Sequence, residues 1–389
     1  MLKEPQRGFP HAEYEARAEK ARALMARDGL DAVVVTSPHN VRYFSGFATQ
    51  FWESPTRPWF LIVPRTGTPV AVVPEIGAPG FVPTWIDDIR TWPAPQPQDD
   101  GVSLLASALE ALPRSTGKIG WEMGRESVIR MPISDFDTLR AQVSGLEFVN
   151  ASPLIWALRM VKSEREVGHI RYICQLASHA FEALPSRLQR GDSELLAARK
   201  LSAELIARGA DSIPFIAACS GPGGYDQIIV GSRPRPLDDG DILFIDLGAL
   251  FDGYSCDFDR NFAFARLSDE AARAHEAVWH ATEEGIAAAR PGATTTDLFN
   301  AMARVLEENG SKGLNVGRLG HGLGMQLTEP PSNMPGDETE LVPGMVMTIE
   351  PGMEYAPGKM IVHEENVVIT EDGCELLTRR AQREMPVIT

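Results

Sequence analysis

Cysteine is scarce in this 389-residue chain: four residues, Cys174, Cys219, Cys256 and Cys374, widely spaced and without a CxxC pair. A disulfide scaffold and a four-cysteine metal site are therefore excluded, and reduced thiols in a cytoplasmic protein are expected. Basic charge is also in short supply, with 37 Lys and Arg against 53 Asp and Glu, a net charge of −16. That balance argues against nucleic acid or an anionic membrane as partner. No uninterrupted apolar stretch reaches spanning length. Met1 to Gly8 carries Lys3 and Arg7 but no apolar core, so no signal peptide is expected. No repeat of solenoid period stands out. Hydrophobic residues make up 43% and charged residues 23%, ample for a globular core and for two domains at this length.

Alternating elements fill the first part. A helix fits Ala12 to Arg27, closed by Gly29, and Ala32 to Thr36 follows as a buried strand. Trp59 to Val63 and Val70 to Val73 flank Thr66-Gly67-Thr68 as a hairpin. Helices at Val102 to Leu112 and Ile133 to Gln142, with strands at Lys118 to Glu122 and Glu147 to Asn150, complete an α/β layer. The boundary falls between Ala151 and Lys162, dividing the chain into residues 1–158 and 159–389. Ser163-Glu-Arg-Glu166 reads as a capping box opening a helix that Pro185 should end. Helices are expected at Glu194 to Arg208, Asp269 to Ala289 and Thr296 to Asn309, and strands at Phe215 to Ala218, Ile242 to Leu247 and beyond Met345.

What the last third holds in abundance is charge set among apolar residues: Asp246, Asp257, His321, Glu350 and Glu364. A lone charge there would be costly to bury. Four carboxylates and a neutral imidazole suit two divalent ions and leave room for a bridging hydroxide. In Ile242 to Arg260, Asp252-Gly253 lies between apolar runs, a strong two-residue hairpin signal. That turn pairs Asp246 with Asp259 and Gly248 with Asp257, placing all four on one face. Three carboxylates around a glycine repel one another unless cations lie between them, so Asp259 is an additional metal or neighbouring-shell candidate. Cys256 should point to the opposite face and pack. His321 lies in Gly320-His-Gly-Leu-Gly324, where backbone can approach a ligand. Glu350 ends a strand just before Pro351, and Glu364 falls in the middle of an expected strand from Lys359 to Ile369, with Val362 and Asn366 on its face. The tetrad Arg318 to His321 adds nothing by itself.

These residues resemble the pita-bread metallopeptidases: aminopeptidase P, prolidase, methionine aminopeptidase and the relative creatinase. The resemblance runs over essentially the whole chain, including Asn40-Val-Arg-Tyr-Phe-Ser-Gly46, Glu350-Pro-Gly and Glu364-Glu-Asn-Val. It implies an α+β protein, a creatinase-type α/β N-terminal domain followed by a pita-bread catalytic domain. It also implies that one metal takes Asp246, Asp257 and Glu364, and the other Asp257, His321, Glu350 and Glu364. Manganese leads, with iron, cobalt and zinc also suited. The implied chemistry is attack of a metal-bridged hydroxide on an amide carbonyl, with Glu350 as proton shuttle, in a homodimer acting on small peptides.

Three departures stand out. Proline-specific members carry a histidine seven residues after the ligand histidine; here it is Thr328, which can donate one hydrogen bond but carries no charge. They carry another upstream; Ser220 to Ile228 has none, and Tyr225 and Asp226 become substrate-contact candidates. Asp259 stands where many relatives have Thr. The missing histidines favour a second class, a non-peptidase hydrolase or lyase of a small amino-acid derivative or compatible solute, as in creatinase, ectoine hydrolase and a sulfonio-propionate lyase. A third class is a non-catalytic binding module, against which the complete ligand set argues. In the loop from Phe47 to Trp59, Trp52 and Arg57 are further substrate-contact candidates, Arg57 through a carboxylate.

Overall fold

The computed structural model describes residues 2–52, 57–311 and 317–389. The chain divides into Gln6–Arg159 and a second unit of Met160–Thr389 that includes the first five residues.

In the first unit the helix His11–Asp28 ends where Gly29 turns left-handed at φ 68°. Six strands follow: β1 (Ala32–Val35), β2 (Phe60–Pro64), β3 (Val70–Pro74), β4 (Asp88–Trp92), β5 (Lys118–Trp121) and β6 (Glu147–Asn150), in the order β4-β3-β2-β1-β5-β6. β1, β2 and β3 pair antiparallel, and β4, β5 and β6 add in parallel. Helices Val102–Glu110 and Ile133–Gln142 cover one face, with Leu105, Leu109 and Leu139 packed on Val34, Ile62 and Trp121. Three helices have no counterpart among the expected elements, Pro38–Ser45, Ala78–Phe81 and Ser152–Met160. Their eight, four and nine residues are too short for a helical period to register.

The second unit opens with the Ser163 capping box, both reciprocal bonds formed, on the helix Glu164–Ala183. Glu194–Arg208 follows. Strands β7 (Ser212–Pro222), β8 (Asp241–Phe251) and β9 (Tyr254–Phe264) form one sheet with β17 (Val387–Ile388), in the order β17-β9-β8-β7. The others are β10 (His321–Gly322), β11 (Glu329–Ser332), β12 (Val346–Ile349), β13 (Gly352–Ala356), β14 (Lys359–Val362), β15 (Glu365–Ile369) and β16 (Cys374–Leu376). They make a five-stranded sheet, β11-β10-β12-β15-β16, and the β13-β14 hairpin. Helices Asp269–Ala288 and Thr295–Glu308 turn Val278, Ala281, Leu298 and Met302 onto Met347 and Ile349 of β12. On the other side Phe181 meets Phe258 of β9, ring centroids 5.3 Å apart.

One expected element is corrected. Lys359 to Ile369 is two strands, not one: β14 pairs with β13, β15 pairs with β12, and His363 and Glu364 lie between them. The chain changes sheets there, because a strand bonded on through both residues could not serve two differently directed partners. Glu364 thereby sits at a junction of sheets. Among the described residues no helix is long and apolar enough to cross a membrane.

Candidate metal centre

The β8–β9 hairpin turns at Asp252 and Gly253, with φ of 49° and 81°, as a type I′ turn requires. Its register pairs Asp246 with Asp259 and Gly248 with Asp257, so the three carboxylates share a face. Asp257, Asp259, His321 and Glu364 are buried, while Asp246 and Glu350 are half-buried. Ligand atoms of Asp257, His321 and Glu364 all lie within 4.8 Å of one another.

Each member is held from behind. Asn366 donates to the Asp257 carbonyl and accepts from its N–H at 3.0 Å. Arg260 donates to the Glu364 carbonyl at 3.1 Å and pairs with Glu365 at 3.0 Å. The His321 N–H donates to Thr348 Oγ1 at 3.1 Å, and the Glu350 N–H to the Leu319 carbonyl at 3.1 Å. His321 Nδ1 lies 2.9 Å from the Gly322 carbonyl, which can only accept. The ring proton is therefore on Nδ1, and Nε2, 3.5 Å from Asp257 Oδ2, presents its lone pair to the cluster.

The donors fit divalent metal. Asp246 Oδ1, Asp259 Oδ2 and Glu364 Oε1 are buried with no hydrogen-bond partner. Burial, then mutual repulsion, raises Asp257, Asp259 and Glu364 well above the carboxylate range. Burial and the Glu350 charge push Asp246 up to about 8, and burial pushes Glu350 up to about 7. Desolvation, then the Arg318 charge, lowers His321 to about 4, which keeps its imidazole neutral. So many carboxylates facing one another need cations among them. The thiol of Cys256, pushed up to about 12 mainly by burial, points away from the cluster and packs.

Arg318, which no motif in the sequence marks, is a cation whose charge acts on this site. Its charge opposes the rise at Asp257 and Glu350. It reaches Thr328 Oγ1 at 3.4 Å and Ser332 Oγ at 3.5 Å, and among the described residues it has no ion-pair partner. No motif marks Leu327 either. A Cβ on Gly248 would stand 2.1 Å from Leu327 Cδ1, so an apolar side chain caps the glycine beside Asp257. Only the Gly-versus-bulky pairing across 248 and 327 could have hinted at it. Thr328 is half-buried beside Arg318.

The remaining candidates are placed as follows. Tyr225 is buried, with its hydroxyl donating to Asn261 Oδ1 at 3.0 Å and accepting from the Val362 N–H at 2.7 Å. Its hydroxyl thus both donates and accepts within the protein. Asp226 is exposed. Trp52, in the first unit, is buried against Trp59, with the Arg130 guanidinium over its ring at 5.6 Å. Arg57 is half-buried, and residues 53–56 of the aromatic loop lie outside the described residues.

Comparison with known proteins agrees with this architecture. Residues 168–371 match the model of metallopeptidase family M24, and residues 17–161 that of the creatinase/prolidase N-terminal domain. The chain is 28% identical over 380 residues to the probable dipeptidase PepE of Mycobacterium bovis, covering 94% of this chain and 95% of that one. It is 26% identical over 374 residues to the Xaa-Pro dipeptidase of Pyrococcus horikoshii, covering 95% and 98%. The crystal structure of dipeptidase PepE from Mycobacterium ulcerans superposes with a TM-score of 0.84 at 29% identity, covering 98% and 99%. With a creatinase-type N-terminal domain and the family's fold and ligand types, the chain belongs to metallopeptidase family M24, as a metal-dependent, peptidase-like hydrolase.

Proposed function

We propose that the chain hydrolyses small Xaa-Pro peptides with two divalent ions held by Asp246, Asp257, His321, Glu350 and Glu364. The observation that carries this reading is the convergence of Asp257, His321 and Glu364 within 4.8 Å, beside buried carboxylate oxygens that have no partner. Asp246, Asp257 and Glu364 would hold one ion; Asp257, His321, Glu350 and Glu364 the other. Such a pair supplies Lewis acidity toward a carbonyl and acidifies a water to near neutral pH.

The protein's own groups do the rest. Glu350, a half-buried carboxylate at the site, takes up and returns the proton. Arg318 and Thr328 present N–H and O–H donors at one edge and hold the oxygen on which negative charge develops. Leu327 forms an apolar wall over Gly248 and keeps water from that side. On the same resemblance, manganese is the first metal to load, ahead of iron, cobalt and zinc, and the enzyme is a cytoplasmic homodimer.

A second reading, hydrolysis or lysis of a small amino-acid derivative, draws support from Thr328, which stands where a proline-directed histidine is expected. The test is turnover of Xaa-Pro dipeptides and tripeptides by manganese-loaded protein. Metal-dependent cleavage before proline supports the peptidase reading. No cleavage by protein that does carry metal overturns it in favour of the second.

A further inference from the structure

Asp259 is a carboxylate that the five-ligand arrangement leaves without a task. It lies directly opposite Asp246 in the hairpin register and on the same face as Asp257. Directly opposed residues have Cβ atoms about 4.5–5.5 Å apart, space enough for one cation between two carboxylates. Asp259 is 2% exposed, and its Oδ2 has no hydrogen-bond partner. The facing residue, Asp246, carries an orphan of its own, Oδ1.

The other oxygen of Asp259 is held in place by a relay. Asn261 Nδ2 donates to the Val362 carbonyl at 2.7 Å and reaches Asp259 Oδ1 at 3.4 Å. Its amide cannot be turned over, because Asn261 Oδ1 accepts from the Tyr225 hydroxyl, and that hydroxyl in turn accepts from the Val362 N–H. A flipped amide would set oxygen against the Val362 carbonyl. The relay therefore always offers a donor to Asp259 Oδ1 and leaves Oδ2 buried without a partner. Metal ligands are oriented by neighbours of this kind.

We propose that Asp259 is a sixth protein ligand of the metal centre, positioned by Asn261 and Tyr225, and that it biases the centre toward hard, oxygen-seeking ions such as Mn²⁺ over Zn²⁺. The inference rests on the metal-centre reading above. A fifth carboxylate raises the negative charge and the oxygen share of the donor set, which suits Mn²⁺ more than Zn²⁺. Tyr225 then takes a positioning part in a segment where the resemblance expected a substrate-facing histidine.

The test titrates apoprotein with Mn²⁺ alone and with Zn²⁺ alone, by calorimetry and by metal content after dialysis. The proteins are the wild type, Asp259→Asn, Asp259→Thr, Tyr225→Phe and Glu364→Gln. The expected result for both Asp259 variants is a tenfold or larger loss of Mn²⁺ affinity at one of two sites, with a smaller loss for Zn²⁺. Tyr225→Phe, which keeps the ring, should lose Mn²⁺ affinity by a smaller factor in the same direction. Wild-type Mn²⁺ affinity in both Asp259 variants, while Glu364→Gln loses metal, overturns the sixth ligand and leaves the centre standing. Unchanged binding in Glu364→Gln as well, or no binding by wild type, overturns both. Circular dichroism identifies a variant that fails to fold, and Asp259→Asn, near-isosteric and uncharged, then decides.

Discussion

Stripping divalent metal from the protein should make its stability fall steeply between pH 7 and 8. Asp257, Asp259 and Glu364 are raised well above the carboxylate range, and Asp246 to about 8, all chiefly by burial. In the unfolded chain the same groups titrate near 4. Across pH 7 to 8 the folded state therefore binds more protons than the unfolded state, and stability declines as pH rises. Histidines with lowered values, His275 and His321 at about 4 and His363 well below its ordinary range, act in the opposite direction and mainly below about pH 7. Between pH 7 and 8 the thiols of Cys174, Cys219, Cys256 and Cys374, all raised by burial, add a smaller decline that metal leaves unchanged, so the metal-dependent part of the slope reports the carboxylates. Mutual coupling and the partial exposure of Asp246 and Glu350 argue for counting one proton, not four. One proton gives about 1.4 kcal/mol per pH unit, or about 3–5 °C in Tm for a unit of this size. The assay is thermal unfolding of chelator-treated protein at pH 7.0, 7.5 and 8.0, with and without Mn²⁺. Added metal should flatten or reverse the slope, because the deprotonated carboxylates are the binding form. A metal-free protein with no decline over this range, or the same slope with metal, would refute the reasoning.

Three further outcomes are expected. Gly320→Ala places a Cβ 2.2 Å from the Thr348 carbonyl oxygen at a residue whose φ is +121°, so β10 must part from β12. Urea unfolding should show roughly 3 kcal/mol or more of destabilisation, with metal affinity lost as His321 shifts; near-native stability would contradict the close approach. Lys162→Met removes the buried ammonium 3.1 Å from the buried Glu329 carboxylate and should cost about 3–5 kcal/mol. The double change with Glu329→Gln should recover much of it, and additive losses would argue against pairing. Arg318→Gln should lower kcat/KM by about 10²–10³ at unchanged metal content, with partial rescue by Arg318→Lys. Wild-type turnover in Arg318→Gln would remove that residue from the mechanism.

The hairpin was legible because two rules act together there. Asp-Gly chooses the turn, and the strand period of two then assigns every side chain to a face, so Asp246, Asp257 and Asp259 converge as expected. Capping chemistry placed the helix at Ser163 in the same way. Glu364 lies beside Asp257, yet the apolar pattern around it reads as one continuous strand. A change of partner between β14 and β15 leaves no mark on the apolar pattern, since both halves remain buried. Arg318 was illegible for a different reason. An arginine three residues before a histidine is commonplace, and only the fold brings it to Thr328 and Ser332. The Tyr225–Asn261–Asp259 relay joins residues from three separate stretches of chain facing Val362, which no spacing rule reaches.

The most direct test of the metal centre counts ions. Protein loaded with Mn²⁺, dialysed and measured by elemental analysis should hold two ions per chain, and Glu364→Gln, which changes a side chain with a buried, unpartnered oxygen, should hold fewer. Two ions retained by Glu364→Gln at wild-type affinity, or none in the wild type, would contradict the centre as described.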